Sequence, residues 1–317
     1  MKIAFVGASG YGNVGDDTYP LVFAQQLPEH ELVIYNSDLP ASLPEDLDML
    51  VMGGGGIVYN NPQEGEPAME SPHFRCMKFY MDAAIQRQIP WGFLSCGLQF
   101  QSKREAEYVA ALQPWVPYLQ QAHFITLRSP RCVCIAQEIS GRDDVVFAPD
   151  AAYLYRPEAG TCMEPLKTVT LVPAGFINAR NALMNHYLRQ FAASGMSVIW
   201  LGMGAQVDDH ALLTEAAELF PQAQVIAAPG PQVAFATIAR SHLVITGRYH
   251  GMVFARANSV PFITPVDIPY KIRVEKLDGN IDSATAHFEV LRRFILRWTP
   301  KFGPVVKLCD YGGFGLG

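Results

Sequence analysis

No C-x-x-C pair, no H-E-x-x-H element, no long basic run and no uninterrupted apolar stretch of the ~20 residues that span a bilayer occurs in this sequence. Each absence closes a class of function. Cys132 and Cys134 stand one residue apart, a poor spacing for a tetrahedral metal site, and Cys76, Cys96, Cys162 and Cys309 offer no matching pair. The six cysteines read as reduced and mostly buried, with neither disulfides nor structural zinc, and no metal is assigned to any site. The formal charge of -6 comes without clustered Lys and Arg, so no nucleic-acid partner is expected and an anionic ligand must be held by a few local cations. Ile3 to Val6 supplies only four apolar residues before Gly7, too few for a signal peptide, which points to the cytoplasm.

Half of the 317 residues are hydrophobic and 17% are charged, which is enough apolar material for buried sheets, and the length suits two domains. Short runs rich in Val, Ile, Leu and Phe alternate with segments of helical period, the pattern of βα units around a mostly parallel sheet. The first series of predicted strands is Ile3–Val6, Leu32–Tyr35, Met49–Met52, Trp91–Ser95, Phe124–Leu127 and Val145–Phe147. Helices are predicted between several of them, near Asp16–Gln26, Phe74–Arg87 and Pro130–Glu138. A weakly patterned connection over Asp150–Lys167, with Pro157, Gly160 and Pro165, precedes a second series at Val169–Val172, Val198–Leu201, Gln224–Ala227, Leu243–Thr246 and Pro261–Thr264. In that half Met184, Tyr187, Leu188 and Phe191 fall on one face of a predicted helix. The fold expected is therefore α/β, two Rossmann-like domains with a cleft between them, a glycosyltransferase-B-like architecture. Residues 1–155 form the first domain, 166–300 the second, including a helix near Ser283–Trp298, and 301–317 a Gly-rich flexible tail.

Three constellations carry chemistry. Gly7 to Asp17 follows a strand and opens a helix, so its backbone N–H groups can approach a ligand, with Gly12, Asn13, Asp16 and Asp17 as candidate contacts. It fits neither the dinucleotide fingerprint nor a nucleotide P-loop, and Asp16 and Asp17 also suit a capped helix start. Gly53-Gly54-Gly55-Gly56 directly follows a strand, where close approach by a ligand or another loop explains the cost in chain entropy; Gly54 and Gly55 are the candidates. The polar stretch Asn60–Pro72 behind it reads as a lid or as irregular chain. The third run, Gly247-Arg248-Tyr249-His250-Gly251, puts an Arg and a His at a strand's carboxyl end beside a helix N-terminus, where open α/β sheets bind anions. Arg248 offers a planar fork to phosphate or carboxylate, and His250 can move a proton near neutral pH. The competing reading is an Arg paired with a local carboxylate and a His capping its own helix. Arg128, Lys271 and Asp150 stand beyond other strands and are further candidates for the cleft. Asp208, Asp209 and His210 read first as a helix start.

Taken in order, Gly10 to Asp17, Gly53–Gly56, Leu127-Arg128-Ser129, Pro149-Asp150-Ala151, Gly247–Gly251 and Tyr270-Lys271 resemble the polysaccharide pyruvyltransferase family. The resemblance implies transfer of a pyruvyl group from phosphoenolpyruvate to two hydroxyls of a sugar, giving a pyruvate ketal on a cell-surface polysaccharide or its precursor. It implies no cofactor beyond the donor substrate. Arg248 and His250 match the family's Arg-Leu-His element and inherit catalytic roles; Tyr249 replaces the usual Leu. Arg248 and Lys271 of the second domain, the expected donor side, and Arg128, facing the cleft from the first, become the expected phosphoenolpyruvate ligands. The first domain, with Gly12, Asn13, Asp16, Asp17, Gly54, Gly55 and Asp150, becomes the expected acceptor side. A lipid-linked oligosaccharide acceptor would bring the protein to the inner face of the membrane. Two other readings fit the same architecture: a nucleotide-sugar-dependent glycosyltransferase and a non-catalytic carbohydrate-binding relative.

Overall fold

The computed structural model describes residues 1–37, 40–60, 70–98, 105–157, 166–174, 177–204, 207–264 and 281–298. Eleven strands among them form two wholly parallel sheets. The first contains β1 (Lys2–Gly7), β2 (Glu31–Asn36), β3 (Met49–Val58), β4 (Trp91–Leu98), β5 (Ile125–Leu127) and β6 (Val146–Phe147), in the order β2-β1-β3-β4-β5-β6. The second contains β7 (Thr168–Val172), β8 (Ser197–Leu201), β9 (Gln224–Ile226), β10 (Leu243–Thr246) and β11 (Phe262–Ile263), in the order β11-β10-β7-β8-β9. Inner strands β1, β3, β4 and β7 are buried along nearly their whole length, as strands covered on both faces must be, whereas edge strand β2 is half exposed. In each sheet the strand order reverses once, between β1 and β3 and between β7 and β10. Such reversals open a crevice beyond the strand carboxyl ends, the place where doubly wound sheets bind ligands.

The helices are α1 (Val14–Gln26), α2 (Pro72–Gln86), α3 (Glu105–Ala111), α4 (Val116–Gln121), α5 (Pro130–Ser140), α6 (Ala182–Ala193), α7 (Val207–Leu219), α8 (Pro231–Ala239), α9 (Tyr249–Ala257) and α10 (Ala286–Trp298). Local sequence sets their starts: Asn13, Ser71, Ser129 and Asn181 each cap a helix by accepting backbone N–H bonds in the first turn, and Gly141 ends α5 in the left-handed conformation. Leu188 of α6 is buried and Met184 and Phe191 pack beside it, but Tyr187 is 46% exposed and lies off the predicted face. Cys96 and Cys132 are buried, Cys76 is half-buried and Cys134 is exposed.

Three apolar layers form among the described residues. One, with Phe74, Trp91 and Trp115, covers one face of the first sheet, and another, with Leu188, Trp200 and Leu213, covers one face of the second. The third runs through both domains, joining Phe5, Phe23 and Phe124 of the first to Phe235, Val253 and Phe254 of the second through Ala151–Tyr155. Helix α10, grouped with the second half by its place in the sequence, contributes Phe288, Leu291 and Ile295 to this layer. Its Phe288 packs edge-on to Phe23 and its Phe294 lies 5.4 Å from Phe124, so it is the first sheet that it covers. The physical reason is its strong amphipathic face, which finds open apolar surface beside α1. No described helix is long and apolar enough to cross a membrane.

Candidate active site where the two sheets meet

The chain beyond β10 is forced into one shape. A Cβ at Gly247 would lie 2.6 Å from the Ala174 carbonyl oxygen, and one at Gly251 would lie 2.2 Å from Thr246 Oγ1. Both glycines therefore let the turn fold tightly over the end of β7. The Thr246 hydroxyl accepts the Arg248 N–H at 3.0 Å and donates to the Arg248 carbonyl oxygen at 2.8 Å, which fixes the residue before α9. Tyr249 and His250 then open the helix and point toward the first domain.

His250 lands on α1. Its Nε2 lies 3.4 Å from the Tyr19 hydroxyl and 3.9 Å from Asp150 Oδ2, and its ring stands edge-on to that of Tyr19. The Tyr19 hydroxyl donates to Asp150 Oδ2 at 2.7 Å and accepts from Arg128 Nη1 at 2.9 Å. Arg128 Nη1 also donates to Asp150 Oδ2 at 2.8 Å, while Asp150 Oδ1 accepts the Ala152 N–H. Three residues from three separate stretches of chain, Tyr19, Arg128 and His250, thus converge on the buried carboxylate of Asp150. Burial by itself would raise the Asp150 carboxyl, but the Arg128 guanidinium, His250 and the Tyr19 hydroxyl outweigh it and hold the group below its usual range. The same burial, with Asp150 adjacent, pushes the Tyr19 phenol well above its usual range, so it stays protonated.

Arg248 takes a different partner. Its Nη2 donates to Asp209 Oδ1, and Asp209 Oδ2 accepts the backbone N–H groups of Met203 and Gly204. The pairing of this Arg with a carboxylate, the competing reading of the run, is therefore present, with a partner 39 residues away in sequence. His250 instead reaches across to α1, and α9 has no side-chain cap. Arg248 keeps 32% of its side chain exposed, and its Nε has no hydrogen-bond partner among the described residues. Arg128, by contrast, is buried beneath the ring of Tyr249, its guanidinium carbon 4.9 Å from the ring centre. Its Nη1 is spent on Asp150 and Tyr19. Asp150 is fully buried, and both its oxygens accept hydrogen bonds from protein groups.

The glycine loops serve the same constellation. The four glycines after Met52 continue β3 instead of leaving the sheet, because the neighbouring chain comes too close for side chains: Cβ atoms at Gly7 and Gly53 would lie 2.4 Å from the Gly53 oxygen and 2.1 Å from the Leu94 oxygen. A Cβ at Gly54 would lie 2.5 Å from the Tyr19 ring, and one at Gly55 2.8 Å from Asp16 Oδ1. Close approach is thus the reason for these glycines, and the group that approaches is the protein's own helix. Asn13 caps α1 and donates to Asp16 Oδ2 at 2.7 Å, Asp17 Oδ1 accepts the Gly10 N–H at 2.6 Å, and Gly12 adopts a left-handed φ of 71°. The crevice left beside Tyr19, Asp16 and Gly54 measures about 10 Å³, room for one water and not for a sugar ring. Lys271 lies outside the described residues, as do most of Asn60–Pro72 and the tail. No group of three or more His, Cys, Asp or Glu suited to a metal ion occurs among the described residues.

Sequence reading missed four contributors: Tyr19, Gly15, Asp209 as the partner of Arg248, and His287. His287 on α10 is fully buried, its Nε2 2.8 Å from the Pro149 carbonyl oxygen and its Nδ1 2.7 Å from Thr126 Oγ1. Thr126 Oγ1 accepts the Ser95 N–H, and Ser95 Oγ accepts the Ala151 N–H, so the backbone on both sides of Asp150 is pinned. Burial pushes the His287 imidazole down to about 4, which keeps it neutral.

The profile of polysaccharide pyruvyl transferases matches residues 22–267, most of the chain, from within α1 to beyond β11. The chain belongs to the polysaccharide pyruvyl transferase family. It is accordingly an enzyme of pyruvyl transfer in polysaccharide biosynthesis, and the pair Arg248 and His250 lies inside the matched span. No curated protein matches the chain. Among solved structures the chain is similar to S. aureus MnaA in complex with UDP, with a TM-score of 0.56, 10% identity and coverage of 94% of this chain and 97% of that one. It is also similar to the UDP-N-acetylglucosamine 2-epimerase from Rickettsia bellii, with a TM-score of 0.56, 8% identity and coverage of 94% and 96%. A third, the UDP-GlcNAc 2-epimerase from Methanocaldococcus jannaschii, gives 0.54, 10% and 92% of each chain. At such identities the likeness is one of fold, and it establishes the two-domain glycosyltransferase-B-like architecture expected from the strand pattern.

Proposed function

We propose that this family member uses phosphoenolpyruvate as donor and converts two hydroxyls of one sugar into a pyruvate ketal. The observation that carries the reading is His250, held against an ionised carboxylate in the same turn as a partly exposed arginine, within the span matched by the family. Phosphoenolpyruvate brings a phosphate and a carboxylate, and Arg248 presents the planar fork that such groups need. Its Nε, without a partner among the described residues, supports that assignment. Lys271 is the second cation of the donor site. Arg128 acts from below, keeping Asp150 ionised beside His250.

Addition begins when a sugar hydroxyl attacks C2 of the enol phosphate. The methylene carbon gains a proton and becomes a methyl group, and the hydroxyl proton passes to a base. The C2–O bond to phosphate then breaks, phosphate leaves with the electron pair, and the second hydroxyl bonds to C2 and loses its proton. His250 is the group that moves protons in this sequence, and the carboxylate of Asp150 stabilises it when charged. The acceptor is a sugar of a cell-surface polysaccharide or its lipid-linked precursor, met in the cytoplasm at the inner face of the membrane.

The test is phosphate release from phosphoenolpyruvate by purified protein over a panel of glycosides. Release is expected only with a suitable acceptor, and His250→Ala should abolish it while the circular dichroism spectrum is kept. Turnover unchanged in that variant removes His250 from the chemistry. A nucleotide-sugar enzyme would instead bind a uridine or guanosine diphosphate sugar more tightly than phosphoenolpyruvate, and calorimetry with both ligands separates the two.

A further inference from the structure

Ser95 lies within β4, yet its φ is 54°, in the left-handed region that residues other than glycine rarely adopt. It stands in the stretch where β4 and β5 fall out of register. With this backbone its N–H goes to a side chain, and the Thr126 hydroxyl oxygen accepts it at 3.0 Å. The Ser95 hydroxyl oxygen in turn accepts the Ala151 N–H at 2.9 Å. His287 of α10 reaches the same point from the other side. The Pro149 carbonyl can only accept, so His287 Nε2–H donates to it at 2.8 Å, and the Thr126 hydroxyl oxygen lies 2.7 Å from Nδ1. Ser95, Thr126, His287 and Asp150 are all fully buried.

A left-handed backbone at a residue with a side chain is strained, and polar side chains placed out of water are costly unless each is bonded. Apolar packing would brace the same loop without either cost. What packing does not fix is direction, and hydrogen bonds to the peptide groups on both sides of one residue do. We propose that Ser95, Thr126 and His287 form a relay of positioning residues that aims the Asp150 carboxylate at His250, and so governs the rate of the chemical step instead of donor binding. The relay joins β4, β5 and α10, and His287 lies beyond the span matched by the family. It ends on the peptide groups flanking Asp150, whereas Arg248 is held separately, by Asp209 and Thr246. A loosened relay should therefore shift Asp150 and leave the donor fork in place.

The aim of Asp150 is a property of the fold, whereas its part in turnover rests on the pyruvyl-transfer reading. Two measurements on the full chain separate them. In protein labelled with 13C in the aspartate carboxyl groups, the Asp150 signal, identified by its loss in Asp150→Asn, should move in Ser95→Gly and in Thr126→Val. A signal unmoved in both overturns the proposal whatever the activity. In phosphate release from phosphoenolpyruvate, Ser95→Ala, Ser95→Gly and Thr126→Val should each lower kcat about 10- to 100-fold, with KM for phosphoenolpyruvate changed less than about 2-fold. Ser95→Gly removes the hydroxyl and also relieves the backbone, so it should melt at a higher temperature than Ser95→Ala and yet turn over no faster. Turnover that rises with melting temperature across these variants, or KM that rises with kcat intact, overturns the relay and leaves three packing residues. Wild-type protein inert toward phosphoenolpyruvate with every acceptor refutes the donor assignment instead, and the carboxyl signal still decides the relay.

Discussion

Replacing Gly15 with alanine tests the contact between the domains more sharply than removing a reacting group. Gly15 is the second residue of α1, where alanine ordinarily stabilises a helix by about 0.5–1 kcal/mol relative to glycine. Here the added methyl carbon would lie 1.7 Å from His250 Nδ1, whereas ordinary contact begins near 3.4 Å. The imidazole must therefore retreat by about 1.7 Å, since a side chain yields more readily than the α1 backbone. That displacement carries Nε2 away from Tyr19 and Asp150. A misplacement of about 1 Å at a reacting centre can cost 10²-fold in rate. Gly15→Ala should thus lose about 10²-fold or more in kcat, while its Tm falls by no more than a few degrees, because the helix gain offsets part of the crowding. Gly230→Ala is the matched control: its Cβ would meet nothing within 4 Å, and turnover should be unchanged. The assay is phosphate release from phosphoenolpyruvate together with a thermal melt of each variant. Wild-type kcat in Gly15→Ala would refute the placement of His250 against α1.

Arg248→Ala should raise KM for phosphoenolpyruvate roughly 10- to 150-fold, the equivalent of about 1.5–3 kcal/mol for charged hydrogen bonds, and a titration followed by steady-state kinetics measures it. Asp150→Ala leaves Arg128 buried without its counter-ion and should cost about 3–5 kcal/mol in urea unfolding, a loss larger than that of Tyr19→Phe. His287 predicts an acid limb in stability. Its folded value of about 4 lies below the ordinary 6.5, so the unfolded chain binds the extra proton between these values. Its contribution is complete above pH 6.5 and is lost as pH falls toward 4, up to about 3 kcal/mol, and His287→Gln should flatten that part of a urea-midpoint profile.

The strands were legible because apolar runs bounded by turns have few other uses: all eleven predicted runs fall on strands of the structure, ten of them to within three residues at either end. The continuation of β3 through Gly53–Gly56 was not legible, since glycine without neighbours reads as a turn, and only the Leu94 carbonyl and the Tyr19 ring show why side chains are excluded. Arg248 and His250 were visible in their strand-to-helix context. Their partners were not. Tyr19 looks like a core aromatic, and the groups that make it functional stand 109, 131 and 231 residues away. Asp209 announced a helix start, but it stands inside α7, where one carboxylate oxygen holds the loop backbone at Met203 and Gly204 and the other holds Arg248. His287 carried no signal, because a single histidine on an amphipathic helix is indistinguishable from packing until the helix is placed.

The return of α10 to the first sheet has a consequence for the order of assembly during synthesis. The apolar surface of Phe23 and Phe124 is covered by residues made about 160 to 270 positions later, after the entire second sheet. A ribosome-bound first half therefore exposes that surface until the last described helix emerges. The same late segment delivers His287 to the Asp150 backbone, so the buried carboxylate acquires its support last. A nascent chain halted before Ala286 would carry both sheets and every residue of the converging cluster, yet lack this brace.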